Sequence, residues 1–388
     1  MRKSTGNRLF PLDALRGLII AFMALDHANY FIARQHSSGE YWGGPFPVYD
    51  SALPFLTRLV THFCAPGFFF LMGTGMLLFA ERRWRQGWTM WQIRGHFWLR
   101  GIVLIALQLL VVNLIWKAGP GFFPDIYIGV LIALGGTMII GSFLVGLDPV
   151  ALLILTLGLL VGTELLHPSP ELWGRLDNQP WKLILMRSGG TAEFWSNFPV
   201  LPWLELVVFG MLFGHWLLDD EKNAYQKGFR IGIILLILFV ILRSVDGFGN
   251  IRPRAGDTWI DFLNVVKYPP SLTFTFLTMG VNLLVLWGFS KASPSTSSPV
   301  PAALVQAGWR FQTASRPLVA FGSAPLFVYV LHLYLYMLIG RFVAPHGTSL
   351  PIMYPYWLIG LVILYPLALW YGRFKHSKTP LRKITAYL

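Results

Sequence analysis

Long apolar segments recur along the whole of this 388-residue sequence and restrict its fold more than any other feature. Runs of about 17 to 25 apolar residues are long enough to cross a bilayer as helices. A spanning helix also satisfies its backbone hydrogen bonds internally. We predict ten such spans, at roughly 11–33, 58–80, 96–117, 125–146, 149–166, 200–218, 229–244, 271–289, 318–341 and 354–373. The sequence therefore predicts an all-α polytopic integral membrane helical bundle of about ten transmembrane helices.

Charged residues are scarce, and the basic ones are unevenly placed. Only 13% of the residues are charged and 55% are hydrophobic, yet the formal net charge is +13. If the N-terminus is cytosolic, the alternate segments on that side hold 19 of the 31 Lys and Arg residues, as the positive-inside rule expects. We therefore expect both termini to be cytoplasmic. The basic residues lie between apolar spans, so they indicate membrane orientation and lipid contact and no nucleic-acid binding.

The sequence shows no domain boundary, no disulfide pair and no metal-binding motif. We expect one transmembrane domain over residues 1–388, with the first span retained because no small-residue cleavage site follows it. Cys64 is the single cysteine, which excludes an intramolecular disulfide, and no Cys and His spacing resembles a zinc site. We expect no metal. The sequence leaves a homodimer open.

The first predicted span carries four ionisable residues: Asp13, Arg16, Asp26 and His27. Arg16 and His27 are eleven positions apart, about 1100° at roughly 100° per residue, so they share one helix face. About 16 Å of rise separates them, which places a cation near the start of the helix and an imidazole deep in the membrane. Imidazole titrates near neutrality and suits general-base activation of a hydroxyl or amine. Asp26 would either bias the tautomer of His27 or pair with another helix.

Further polar residues lie in other predicted spans. His62 and His332 fall, like His27, toward the outer half of the membrane, so three spans could meet in one polar pocket. Each is also explained as a helix-to-helix hydrogen-bonding residue. Glu205 needs a partner, for which a basic residue of the pocket is one candidate. The glycines of FLMGTGM and LVVFGMLFG give the small-residue spacing of closely packed helices.

A basic, tryptophan-rich segment, ERRWRQGWTMWQIRGHFWLR, occupies residues 81–100 on the predicted cytosolic side. One interpretation is a membrane anchor that follows the positive-inside and aromatic-belt rules. The other is a docking surface for the phosphates of an anionic cofactor, formed by Arg82, Arg83, Arg94 and Arg100.

The three long outer loops, 34–57, 167–199 and 245–270, are rich in aromatic residues. They contain Tyr41, Trp42, Tyr49, Trp173, Trp181, Trp195 and Trp259. Such side chains usually lie at the lipid interface. The alternative is an acceptor platform, because aromatic rings combine a large contact area with a polar handle.

Four blocks of the sequence resemble a known family. They are RLFPLDALRGLIIAFMALDHANY, APGFFFLMGTGM, FPVLPWLELVVFGMLFG and FGSAPLFVYVLHLYL. In this order they resemble the bacterial relatives of heparan-alpha-glucosaminide N-acetyltransferase. The spacing of Arg16 and His27 is also similar to a motif of membrane sugar O-acyltransferases.

The resemblance implies an acyl-CoA-dependent acyltransferase, most simply an acetyltransferase, in a bacterial-type plasma membrane. Such proteins take an acyl group from cytosolic acyl-CoA and deliver it to a glycan or other small envelope acceptor on the outer side. Here His27 would be the catalytic histidine, assisted by Asp26, His62 or His332, and Arg16 and the basic segment would hold acyl-CoA. His332 or Tyr329 would stabilise the oxyanion.

Differences between this sequence and the family leave the identity of the catalytic base open. The lysosomal relatives have Asn at the position of His27 and Asp at that of His62. Their catalytic histidine comes later, nearest to His36 in this chain. Direct transfer and an acyl-histidine intermediate also both stay open. A transporter or flippase of a lipid or glycan precursor, with the buried ions as a proton relay, is the alternative function.

Overall fold

The chain folds into a bundle of long helices that follow the apolar segments in order. The computed structural model describes residues 9–37, 39–121, 123–292 and 316–375. The helices of the first half are α1 (Phe10–Ala28), α2 (Ala52–His62), α3 (Cys64–Trp84), α4 (Met90–Leu107), α5 (Asn113–Lys117), α6 (Val130–Gly141), α7 (Pro149–Leu166) and α8 (Pro180–Leu185). Those of the second half are α9 (Val200–Asp219), α10 (Glu221–Val245), α11 (Trp259–Leu263), α12 (Leu272–Ala292), α13 (Pro325–Phe342) and α14 (Leu350–Lys375). Residues 316–323 are also helical.

Three short strands form a small sheet between loops. They are β1 (Ile126–Ile128), β2 (Gly189–Gly190) and β3 (Phe194–Ser196), in the order β1-β3-β2. β1 pairs with β3 in parallel, and β2 pairs with β3 antiparallel. The prediction of an all-α chain did not include this sheet, because strands of two or three residues are too short to show a period of two.

The membrane-helix prediction is confirmed in its general form. Within the described ranges, eight helical stretches are long and apolar enough to cross a bilayer. α2 and α3 form one of them, α4 and α5 another, and α7, α9, α10, α12, α13 and α14 the rest. The predicted span 149–166 coincides with α7, which begins at Pro149 with Asp148 as its N-terminal cap.

The other two predicted spans correspond to α1 and α6. α1 contains Asp13, Arg16 and Asp26 and is nevertheless packed into the core of the bundle. α6 has 12 residues, because the start of the predicted span 125–146 forms β1 and its end forms a turn. Twelve residues rise about 18 Å, well short of a roughly 30 Å hydrocarbon core.

Glycine allows the closest helix contacts, as the sequence predicted. A Cβ atom on Gly73 of α3 would clash with the backbone of Val207 in α9. A Cβ atom on Gly210 of α9 would clash with the backbone of Phe70 in α3. The two backbones therefore approach each other at two reciprocal points, which fixes α3 and α9 as the centre of the bundle.

The long loops meet at one end of the bundle, which we call the loop end. It comprises residues 34–37, 39–51, 118–121, 123–129, 167–199, 246–271 and 343–349. The Trp42 backbone N–H donates to the Tyr268 carbonyl at 3.1 Å, and the small sheet joins the second loop to the third. The opposite end, where α1 begins and the turn between α3 and α4 lies, is called the basic end. α1 thus runs from the basic end to the loop end.

Candidate active site

A cavity of about 540 Å³ lies at the loop end and reaches into the bundle past His27 to Met23 and Phe68. α1 contributes Met23, Asp26, His27 and Tyr30 to its wall. α1 changes into a π-helical turn at Asn29–Ala33, two residues after His27. π turns interrupt the regular spacing of side chains and are frequent at functional sites.

His27 is held by a second histidine. His27 Nδ1 lies 2.6 Å from His332 Nε2, and His332 Nδ1 lies 2.9 Å from the Val328 carbonyl oxygen. A carbonyl only accepts, so His332 Nδ1 carries the proton in that bond. In the neutral ring His332 Nε2 then accepts, and His27 Nδ1 donates to it. This leaves the lone pair of His27 on Nε2, which has no hydrogen-bond partner within the described part of the chain.

Aromatic side chains surround the two imidazole rings. The His27 ring lies edge to face with Trp116 at 5.4 Å and with Tyr329 at 6.3 Å between centroids. Both residues line the cavity beside His27. The aromatic rings pack against His27, and its Nε2 is left without a hydrogen-bond partner among the described residues.

Asp26 faces away from its neighbour His27 and joins a second cluster. Its Oδ1 accepts from Arg58 Nη1 at 2.8 Å and from the Thr61 hydroxyl at 2.7 Å. His36 Nε2 lies 3.0 Å from the same oxygen. Of the two alternatives for Asp26, the structure shows pairing with another helix, here α2.

Arg58 connects two carboxylates at the wall of the cavity. Its Nε and Nη2 donate to Glu40 Oε1 and Oε2 at 2.7 and 2.8 Å, a bidentate pair. Arg58 and Glu40 are both buried, at 2% and 0% exposure. Burial alone would raise the pKa of Glu40, but the charge and hydrogen bonds of Arg58 lower it to about 2. Glu40 is therefore ionised at neutral pH.

His36 is part of the same cluster. Its Nε2 lies 2.7 Å from Arg58 Nη1, a donor, and 3.0 Å from Asp26 Oδ1, an acceptor. Nε2 therefore takes part in one three-centre contact with the guanidinium and the carboxylate. Nδ1 is buried and has no partner among the described residues. The His36 side chain lines the cavity.

Two other residues predicted from their spans lie outside the cavity wall. His62 Nε2 is 3.8 Å from Glu40 Oε1, and its ring packs against Phe274 at 5.8 Å. Glu205 accepts from the Thr275 hydroxyl at 2.9 Å, so its partner is a hydroxyl and not a basic residue. Both are packed between helices beside the site.

Aromatic loop residues form one wall of the cavity. Tyr41 packs against Trp173, Trp195 and Tyr268 with centroids 5.7, 5.4 and 5.3 Å apart. The Tyr41 hydroxyl donates to Asn197 Oδ1 at 2.6 Å. Trp181 and Trp259, in contrast, are about half exposed. The loops therefore divide into aromatic residues that face the cavity and aromatic residues that face outward.

None of the five arginines predicted to hold the acyl donor lines this cavity. Arg16 donates to Asp13 Oδ1 at 2.8 Å and to the Gly322 carbonyl at 3.0 Å. Arg100 lies within electrostatic range of Arg16. Arg83 stacks on Trp88 at 4.5 Å, Arg94 on Phe143 at 5.0 Å, and Arg82 is exposed. These side chains form a separate group toward the basic end.

Sequence reasoning missed Arg58, Thr61, Glu40 and Lys267. Arg58, Thr61 and His62 follow the i, i+3, i+4 spacing of one helix face, which was a usable signal. Glu40 and Lys267 stand in loops, and nothing in their neighbours along the chain marks them. Among the described residues, no group of three or more His, Cys, Asp or Glu side chains could hold a metal ion.

The fold and the site together define a class of protein. It is a multi-pass membrane protein whose helices enclose a buried histidine pair, beside a cavity lined by polar and aromatic residues. The chain belongs to the heparan-alpha-glucosaminide N-acetyltransferase catalytic family, whose profile matches residues 8–241.

A curated relative is heparan-alpha-glucosaminide N-acetyltransferase of Mus musculus, 28% identical over 144 residues. This match covers 37% of the present chain and 20% of the mouse protein, so the chain spans about a fifth of that relative's length. The matched family region includes His27, His36 and Arg58 but ends before Lys267 and His332.

Proposed function

We propose that this protein is a membrane acyltransferase that moves an acetyl or other acyl group from acyl-CoA to a hydroxyl or amine of a glycan or other envelope acceptor. Membership of an N-acetyltransferase family supports the class of reaction. The observation that carries the proposal is the His27–His332 pair. It leaves Nε2 of His27, which lines the cavity, without a hydrogen-bond partner among the described residues.

In the proposed step His27 acts as the general base. The acceptor oxygen or nitrogen attacks the thioester carbonyl carbon, and His27 Nε2 takes the proton from the acceptor. The carbon–sulfur bond then breaks as the new ester or amide forms, and the thiolate leaves and recovers the proton from His27. We assign His332 a positioning role, because its hydrogen bonds to Val328 and His27 fix the tautomer that this step needs.

Stabilisation of the oxyanion falls to Tyr329 in this scheme. Both ring nitrogens of His332 are already engaged, so His332 has no free donor. The Tyr329 side chain lines the cavity beside His27, and its hydroxyl has no hydrogen-bond partner among the described residues. A preorganised donor at this position lowers the barrier by meeting the charge that develops on the carbonyl oxygen.

The acyl donor would approach from the basic end. Arg16 and Arg100, with Arg82, Arg83 and Arg94 nearby in sequence, supply the cations that the phosphates of CoA require. Met23 and Phe68 line the part of the cavity that is nearest to these arginines along α1 and α3. The pantetheine arm would have to pass this region to reach His27.

The proposed topology has ten passes with both termini in the cytoplasm of the plasma membrane. Successive helices alternate in direction between the basic end and the loop end when α1 and α6 are counted with the eight long apolar stretches. The basic residues then face the cytosol, as the positive-inside rule expects. The acceptor would enter from the opposite side.

The test is thiol release from acetyl-CoA by the full chain purified in detergent. We expect release by the native protein, and acetyl-CoA binding without release by His27→Ala. His346→Ala is a matched control, because this histidine is exposed at the loop end and outside the cavity wall. Failure of the native protein with acetyl-CoA and with longer acyl-CoAs, together with passage of a glycan precursor into vesicles, would support transport instead.

A further inference from the structure

Lys267 is a buried amine in the wall of the cavity. It lies in the loop between α11 and α12, is 4% exposed and lines the same space as His27 and Asp26. Its backbone N–H donates to the Glu40 carbonyl oxygen at 3.0 Å, so the loop is fixed against the loop that carries His36 and Glu40. The position of the side chain is therefore set by the fold.

The Lys267 ammonium has no acidic partner in the described part of the chain. No carboxylate within the described residues lies within 4.0 Å of its Nζ, and Nζ donates no hydrogen bond there. Nζ lies over the Tyr268 ring, 5.2 Å from its centroid. The two nearby carboxylates, Asp26 and Glu40, are bound by Arg58. Three donors thus remain unused at the cavity wall.

The amine keeps most of its charge at neutral pH. Burial and the nearby Arg58 lower the pKa of Lys267 to about 8, while Asp26 and Glu40 oppose that shift. A purely structural role for Lys267 would be to compensate the charge of the second of the two carboxylates at long range. Charge compensation alone does not require unused donors on the cavity side. A buried cation without a partner destabilises the folded protein unless a bound anion pairs with it.

We propose that Lys267 is the anion-binding group of the acceptor subsite, and that the acceptor carries a carboxylate, sulfate or phosphate close to the group that is acylated. The inference rests on the proposed function and narrows its acceptor class. The anion accepts hydrogen bonds from the unused donors of Lys267 Nζ in the cavity wall. The sugar ring then lies against Tyr41 and Trp195.

The experiment measures equilibrium binding of matched sugars to the purified full chain by ligand-observed NMR, without acyl donor. D-glucuronate is compared with D-glucose, and D-glucose 6-sulfate and D-glucose 6-phosphate test the other anions. We expect native protein to prefer at least one anionic sugar over glucose by about tenfold or more, which is about 1.4 kcal/mol. Lys267→Met should reduce this ratio to near one, and Lys267→Arg should restore most of it.

The matched control is Lys182→Met, since Lys182 lies at the loop end, pairs with Asp177 and does not line the cavity. Its ratio should equal that of the native protein. Absence of any preference in the native protein overturns the inference, and so does a preference that survives in Lys267→Met. If Lys267→Met does not fold, Lys267→Gln takes its place, and the native ratio alone still decides against the inference when it is near one.

The two proposals fail separately. Binding preference without thiol release would leave the anion subsite standing and remove the acyltransferase function. Thiol release with no preference among the sugars would support the acyltransferase function and overturn the anion subsite. An equal fall in kcat with every acceptor in Lys267→Met, at an unchanged binding ratio, would place Lys267 at the reacting carbonyl and overturn its role in acceptor selection.

Discussion

His27 and His332, 305 positions apart in the sequence, share a 2.6 Å contact between Nδ1 and Nε2. The contact joins α1 to α13 in the middle of the bundle. The family match ends at residue 241, so His332 comes from a part of the chain outside that match. The candidate active site is complete only when the last helices pack against the first.

The role of His332 can be separated from general packing by two substitutions. His332→Gln keeps an oxygen that accepts from His27 Nδ1–H, whereas His332→Leu of similar size has no acceptor. We expect kcat for acyl transfer to fall by about a hundredfold in the Leu variant, within the range that general-base catalysis contributes, and by less in the Gln variant. Steady-state kinetics with acetyl-CoA measures the difference.

The pH profile gives the control for this pair. If His332 fixes the tautomer of His27, the Leu variant should shift the lower limb of the kcat profile, and acetyl-CoA affinity should stay near that of the native protein. Equal losses in the Gln and Leu variants would show that His332 contributes packing alone.

The sequence predicted the helical spans better than the contacts between them. Span 149–166 agrees with α7 to the residue because Asp148 and Pro149 mark its start, while α6 was overestimated because an apolar strand precedes it. His27 could be predicted because a histidine within an apolar segment can be recognised from the sequence alone. Arg58 could not, since its partners Asp26 and Glu40 are 32 and 18 positions away.

The same argument explains the division of the aromatic residues. Tyr41 and Trp195 are 154 positions apart and meet because β3 and the first loop share the loop end. Trp181 and Trp259 also stand in the long loops but are about half exposed. Only the arrangement of the loops distinguishes a cavity wall from an interfacial anchor.

Removal of Arg58 should destabilise the protein strongly. Arg58→Met leaves Asp26 and Glu40 as buried carboxylates without a direct cation, and breaking such a pair costs about 3–5 kcal/mol. Thermal unfolding in detergent measures the loss. Arg341→Met, at an exposed position, should change stability by about 0.5 kcal/mol or less. The double variant Arg58→Met with Glu40→Gln should recover part of the loss, and strict additivity would contradict the coupling.

The ion pair of Glu40 predicts a pH dependence of stability. The folded pKa of Glu40 is about 2, below the ordinary 4.5. A lowered pKa stabilises the fold above about pH 4.5, and this contribution is lost as the pH falls toward 2. The difference in unfolding midpoint between native protein and Glu40→Gln should therefore be large at pH 7 and shrink below pH 4.5. A difference that stays constant with pH would contradict the ionised pair.

The contact between α3 and α9 predicts opposite outcomes for neighbouring glycines. Gly73→Ala and Gly210→Ala place a methyl group against the backbone of the partner helix, and we expect losses of about 1–3 kcal/mol or more. A Cβ atom on Gly75 meets nothing within 4 Å. Gly75→Ala should be neutral or stabilising by up to about 1 kcal/mol, because alanine favours a helix. Unfolding midpoints in one detergent decide the order.

The basic end and the cavity predict that donor and acceptor affinities respond to different residues. Arg100→Gln and Arg16→Gln should raise the KM for acetyl-CoA by about tenfold, since one lost charge-assisted hydrogen bond is worth about 1.5–3 kcal/mol. Acceptor KM should change little, because neither arginine lines the cavity. Arg16 also binds the Gly322 carbonyl, so Arg100→Gln is the cleaner variant. In proteoliposomes of known orientation, acetyl-CoA supplied on the loop side should give no turnover; equal turnover from both sides would mean that donor and acceptor share the loop-end cavity.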